Sequence, residues 1–220
     1  MVPYTDCERL LGCDDQLLQV LLATNEPLTV RQMSHVLGLA DEYKLLDVLG
    51  PLSHVLNLSA TRSGELCGDT QLTLYHKTLA DWLTDPKRRL DSRDRPHYVD
   101  LKIGHRLMLT YCLQQISTKP TDAQLQQFSH LFIDYKPLLF NVEQVLVMGP
   151  GGMEHYAVSH VAHHAISAEE WDRATAVLCS LQYTELKLAL QQRSRHIADL
   201  STAIKQLQAA VKTAPNGTDC

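Results

Sequence analysis

Apolar runs in this chain of 220 residues all stop well short of the roughly 18 to 20 that cross a bilayer. The opening MVPYTDCERL also lacks the basic-then-apolar order of a signal peptide. The expected compartment is therefore the cytoplasm. Cysteine is sparse, with six residues (Cys7, Cys13, Cys67, Cys112, Cys179, Cys220) spread through the chain without a CxxC pair. That spacing excludes a disulfide framework and reads as reduced, mostly buried thiols. The sequons at Asn57 and Asn216 then carry no weight. Positive charge is also short: the formal net charge is −5, which opposes binding to a phosphate backbone. The densest basic stretch, DPKRRLDSRDRP, interleaves its cations with Asp85, Asp91 and Asp94 and reads as a solvated linker.

Catalytic signatures are missing too. The chain has no GxxxxGK[ST], GxSxG, dinucleotide glycine fingerprint or HExxH, and GPGG near Gly149 lacks the lysine and preceding strand of a phosphate cradle. No enzymatic activity and no cofactor are expected for this chain by itself.

What is present is helical periodicity. CDDQLLQVLLAT offers Asp14 and Asp15 as N-caps and puts Leu17, Leu18, Leu21 and Leu22 on one face. NEPL turns the chain, Thr29 caps a second helix VRQMSHVLG ending at Gly38, and a third spans EYKLLDVLGPLSHVL with a kink or split at Gly50 and Pro51. Two strand-like runs follow, VLNLSA and QLTLYHK, joined by TRSGELCGDT. Three helices and a hairpin are the order of a winged helix, expected over residues 8–94. Its third helix carries Glu42, Asp47 and only Lys44 as a cation, which argues against groove reading of DNA.

From Tyr98 the pattern is six successive helices, YVDLKIGHRLMLTYCLQQI, TDAQLQQFSHLFIDY, VEQVLVM, EHYAVSHVAHHAI, AEEWDRATAVLCSL and YTELKLALQQ onward. The expected fold is mostly α: a winged helix with a small β-hairpin, then a helical arm of stacked hairpins over 95–212 and a disordered tail over 213–220. The last helix has heptad spacing. Leu190, Ile197, Ile204 and Val211 share one position, and Leu186, Arg193, Leu200 and Leu207 the other. Its flanks offer few charge pairs and Arg193 interrupts the seam, so docking onto the arm is favoured over a dimeric coiled coil. Leu190, Ile197, Leu200, Ile204 and Leu207 are the candidate partner-binding residues.

Histidine is abundant, and HYAVSHVAHH is its densest point. His160 and His164 sit at i and i+4, a spacing that fits zinc only if further ligands converge. None with ligand spacing is evident, and helix packing is the favoured reading.

Three stretches, LLATNEPLTVRQMSHVLGL, VLGPLSHVL and LTLYHKTLADWLTD, together resemble the winged-helix segment of NACHT-type signal-transduction ATPases, the STAND class. GHRLMLTYCLQQI and HYAVSHVAHHAISAEEWDRATAVLCSLQYTELKL resemble the helical arm that follows it and leads to WD-type or ankyrin repeats. The resemblance covers roughly residues 14 to 190. It implies a regulatory fragment partnered by an NTPase domain, with ADP or ATP as cofactor only if an upstream nucleotide-binding domain is present. In that family a histidine ending the winged-helix strand contacts the β-phosphate of ADP, and here the role falls on His76. Thr78 and Leu79 depart from the family's Ser-Phe. Read from the residues alone, His76 is a half-buried histidine closing the hairpin onto the core, with Leu79, Trp82 and Leu83 packed beneath it. A free-standing adaptor that binds proteins through its arm or last helix is the alternative function.

Overall fold

The computed structural model describes residues 15–39, 41–59, 67–87, 98–118, 139–140 and 152–213. The expected helices over 121–135 and 142–148, most of the 85–96 linker and the 213–220 tail lie outside or at the edge of the described residues. The chain is mostly helical with a small antiparallel sheet, and none of the described helices is long and apolar enough to cross a membrane. It divides into two compact units. One holds the residues up to Tyr111 with Ser167–Glu169; the other holds Cys112–Ile166 and the residues from Glu170.

In the first unit, helix α1 (15–23) leads into the two-residue strand β1 (Leu28–Thr29), helix α2 (Val30–Val36) and helix α3 (Glu42–Leu52). Strands β2 (Leu56–Ser59) and β3 (Gln71–Leu74) and helix α4 (Lys77–Thr84) follow. The sheet order is β1-β3-β2, all antiparallel, with Leu72 opposite both Leu28 and Leu58. Thr29 and Gln32 form a reciprocal capping box, which fixes the start of α2 one residue after the strand ends. Val30 and Arg31 donate their amides to Thr70 and Gly68, tying the same corner to the loop before β3. Leu17, Val20, Met33, Leu45, Leu49 and Leu72 are fully buried, so α1, α2, α3 and the sheet share one core. Strand β1 had no readable signal at two residues. Gly50 and Pro51 do not split α3 but occupy its last turn, and SHV after them is a turn leading into β2.

Helix α5 (Leu101–Ile116) runs into strand β4 (Ser117–Thr118), which pairs antiparallel with β5 (Leu139–Phe140). Neither strand was expected. In the second unit, α6 (Met153–Ser167), α7 (Trp171–Leu178), α8 (Leu181–Ala189) and α9 (Arg193–Thr213) follow. The final helix expected from Tyr183 onward is two helices, because Gln191 adopts a left-handed φ of 56°. The Gln191 amide bonds to Leu188 and the Gln192 amide to Lys187, the two hydrogen bonds of a Schellman stop. The same motif ends α2, there with Gly38 at φ 66°. A glutamine in this position costs of order 1 kcal/mol relative to glycine. Replacing Gln191 with glycine is therefore expected to raise stability by a few tenths to about 1 kcal/mol, read as a higher urea midpoint; a lower midpoint would refute the assignment.

Candidate functional site

Two places bring together side chains with chemistry to offer. The first is the end of β3. That strand lies between β1 and β2, so its exit is fixed from both sides, and Tyr75 still donates its amide to Val55 beyond the last strand residue. His76 then occupies the N-cap of α4 with extended backbone, φ −132° and ψ 133°, and its carbonyl accepts from Leu79. Its side chain makes no capping bond. The imidazole is exposed and meets the Tyr75 ring edge-on at 5.0 Å, and Tyr75 is itself 64% exposed. The half-buried histidine closing the hairpin is therefore not what the fold contains. Below it Leu83 is buried and Leu79 half-buried, whereas Trp82 is 36% exposed and is no core residue.

Beside this strand lies a cleft of about 240 Å³. Leu21, Leu22, Pro27, Leu72, Leu74 and Ala80 are its apolar lining. It is small for an organic ligand. Glu26 is its one ionisable lining residue, so the cleft has no cation for a phosphate group. An anion meeting His76 would be brought to it from outside.

The second place is a buried polar cluster where α6, α8 and α9 pack. Lys187 is fully buried, and its Nζ donates to the Ser159 carbonyl at 2.9 Å and lies 3.4 Å from Asp199 Oδ2. One turn earlier on α8, the Tyr183 hydroxyl donates to the Val158 carbonyl at 3.0 Å. Gln192, held by the Schellman stop, donates to Ser159 Oγ at 2.6 Å and lies 3.2 Å from His155 Nε2. His196 Nε2 is 3.4 Å from Thr184 Oγ1, while its buried Nδ1 and the Gln192 Oε1 have no hydrogen-bond partner. Burial drives the Lys187 ammonium down to about 8, against the pull of Asp199. It also pushes the Tyr183 phenol and the Cys112 thiol well up.

His196 and His163 are both lowered, chiefly by burial; Lys187 lowers His196 further. Both fold as neutral bases. As pH falls below about 6.5 the unfolded chain takes up protons that the folded chain resists, so stability is lost toward acid. The urea midpoint is expected to drop between pH 7.5 and 5.5, and His196→Gln to make that drop shallower. An equal drop in the variant would remove His196 from this account.

The i, i+4 histidine pair lies within the second unit. His160 and His164 are buried, both pack on Tyr156, and the Tyr156 hydroxyl is 3.0 Å from His164 Nε2. Among the described residues no group of three or more His, Cys, Asp or Glu could hold a metal ion.

The candidate partner-binding residues separate. Leu190 caps α8 and so falls out of the seam. On α9 the buried face is His196, Asp199 and Ala203, whereas Ile197, Ile204 and Leu207 are 52%, 54% and 45% exposed and Leu200 is half-buried. The helix docks, as expected, but by a polar face and not by its apolar seam. Lys187 and His196 are not legible in the sequence because single polar residues on an amphipathic helix carry no sign of burial, and Gln192 is not because the turn that holds it reads as helix. Comparison with protein-family models, curated proteins and solved structures gives no match.

Proposed function

We propose that this chain is a non-enzymatic regulatory and scaffold segment of a NACHT/STAND-like signalling protein. Its first unit closes over a nucleotide site carried by an NTPase domain, and its helices relay that state to repeats or partners. The carrying observation is His76: exposed, at the mouth of the central strand, making no cap bond, and beside the exposed Tyr75. An imidazole there is free to donate to a phosphate, and no N-cap side chain covers the first-turn amides of α4, which favour the same charge. The helix–strand–helix–helix–strand–strand order with sheet order β1-β3-β2 supports the winged-helix reading. The test is docking in trans. A NACHT-type ATPase module loaded with ADP is titrated with this chain, and His76→Ala and Tyr75→Ala should each weaken binding, with ATP-loaded module binding less. Equal binding of both variants refutes the reading.

A second reading, an adaptor that binds proteins through its last helix, is favoured by the exposure of Ile197, Ile204 and Leu207. A DNA-binding reading gains no support: among the described side chains of α3 the exposed ones are Tyr43, Lys44 and Asp47, and Arg31 is engaged by Glu42 and Asp69.

A further inference from the structure

Helix α9 is anchored near its start and exposed from Ile204 to Ala210. His196, Asp199 and Ala203 face inward, and from Ile204 to Ala210 every side chain is exposed. The exposed side of the helix presents aliphatic side chains spaced 3 and 4 apart. The seam is narrow, lying along Ile197, Leu200, Ile204 and Leu207, which is the width that one facing helix covers. The helix holds no aromatic residue, whereas helices that lie in a bilayer interface pair a wide apolar face with Trp or Phe.

Charge then selects the partner. Arg193, Arg195, Lys205 and Lys212 are all exposed, and the one carboxylate, Asp199, is turned inward to Lys187. Lys205 and Lys212 lie one heptad apart along the flank of the seam opposite the docked face. A second copy would set these cations against their own kind. The chain as a whole is negative at −5, so the local excess of cations on α9 is not a property of its general composition.

Resting on the adaptor reading of α9, we propose that its outward seam binds an acidic amphipathic helix of a partner protein. The aliphatic residues of that partner meet Ile197, Leu200, Ile204 and Leu207, and its carboxylates meet Lys205 and Lys212. The full chain is titrated by fluorescence anisotropy against two synthetic peptides of three heptads, identical in their leucine seam and carrying glutamate or lysine on the flanks. The acidic peptide is expected to bind at least about tenfold tighter than the basic one. Ile204→Asp should abolish that binding, and Lys205→Glu with Lys212→Glu should reverse the preference. Thermal unfolding of Ile204→Asp should match the wild type, because the side chain is already exposed. Equal binding of both peptides, with both lost in Ile204→Asp, would keep the docking arm and overturn the acidic partner. Binding that survives Ile204→Asp, or no binding of the acidic peptide, overturns the proposal. So does self-association lost on the same substitution, or recruitment to phosphatidylserine vesicles without peptide binding. A lowered melting temperature of Ile204→Asp would place the seam under cover within the chain and overturn it as well.

Discussion

Gly104→Ala is expected to destabilise the protein by about 1 to 3 kcal/mol, a loss typical of overpacking, although alanine is the better helix former by up to about 1 kcal/mol. Gly104 sits in the first turn of α5, buried. A Cβ built on it would fall inside the van der Waals distance of the Gln19 carbonyl and only 3.0 Å from the Ala23 Cβ. The obstacle is mostly the backbone of α1, which has no rotamer to give. The two helices must separate or α5 must shift. Gly50→Ala in α3 is the matched control: it meets nothing within 4 Å, and its gain should be the propensity alone, about 0.5 to 1 kcal/mol. Melting temperatures of the two variants should therefore move in opposite directions. Stabilisation by Gly104→Ala would mean that α1 and α5 do not approach at this residue.

Lys187 carries the second large effect. Lys187→Ala is expected to cost about 3 to 5 kcal/mol, because it leaves a cavity and strips the half-buried Asp199 of its cation. Lys187→Met keeps the volume and removes the cost of burying an ammonium, so it should cost distinctly less. The two also differ in their pH dependence. With Lys187 lowered to about 8 and its unfolded value at 10.5, the folded chain releases a proton that the unfolded chain retains, so stability rises as pH passes 8. Above about 9 the unfolded Cys112 thiol ionises while the buried one does not, which cancels the gain, and above about 10 Tyr183 turns it into a loss. The gain is thus confined to pH 8 to 9 and amounts to about 1 kcal/mol. Urea denaturation across that window should show it in the wild type and not in Lys187→Met. A rise of equal size in the variant would assign it to another group.

The parts of the fold legible in the sequence were those set by local chemistry. Thr29 announces the start of α2, Gly38 its end, and the alternation in QLTL a strand. The same logic failed where the structure uses the wrong residue for the job. Gln191 ends α8 in a conformation normally given to glycine, so the heptad spacing from Leu186 to Val211 reads as one helix when it crosses two. Strand β1 was hidden for another reason: two residues hold too little alternation to read, and the strand exists because β3 offers it a partner. Among candidate sites, His76 was legible because a histidine at a strand exit is locally odd. Its exposure was not, since the side chain's surroundings are tertiary. The seam on α9 was legible as apolar but not as outward, because its burial depends on which face α8 meets, and that is decided by Lys187, His196 and Asp199.

The regulatory reading stands on His76, and ADP affinity tests it most directly. The chain extended N-terminally by a NACHT-type nucleotide-binding module is titrated with ADP and with ATP, as wild type and as His76→Ala, alongside the chain alone. The account predicts that only the extended chain binds ADP and that His76→Ala weakens ADP by about tenfold or more, the loss of a hydrogen bond to a charged group, while sparing ATP. ADP binding unchanged by His76→Ala, or none in the extended chain, would contradict it.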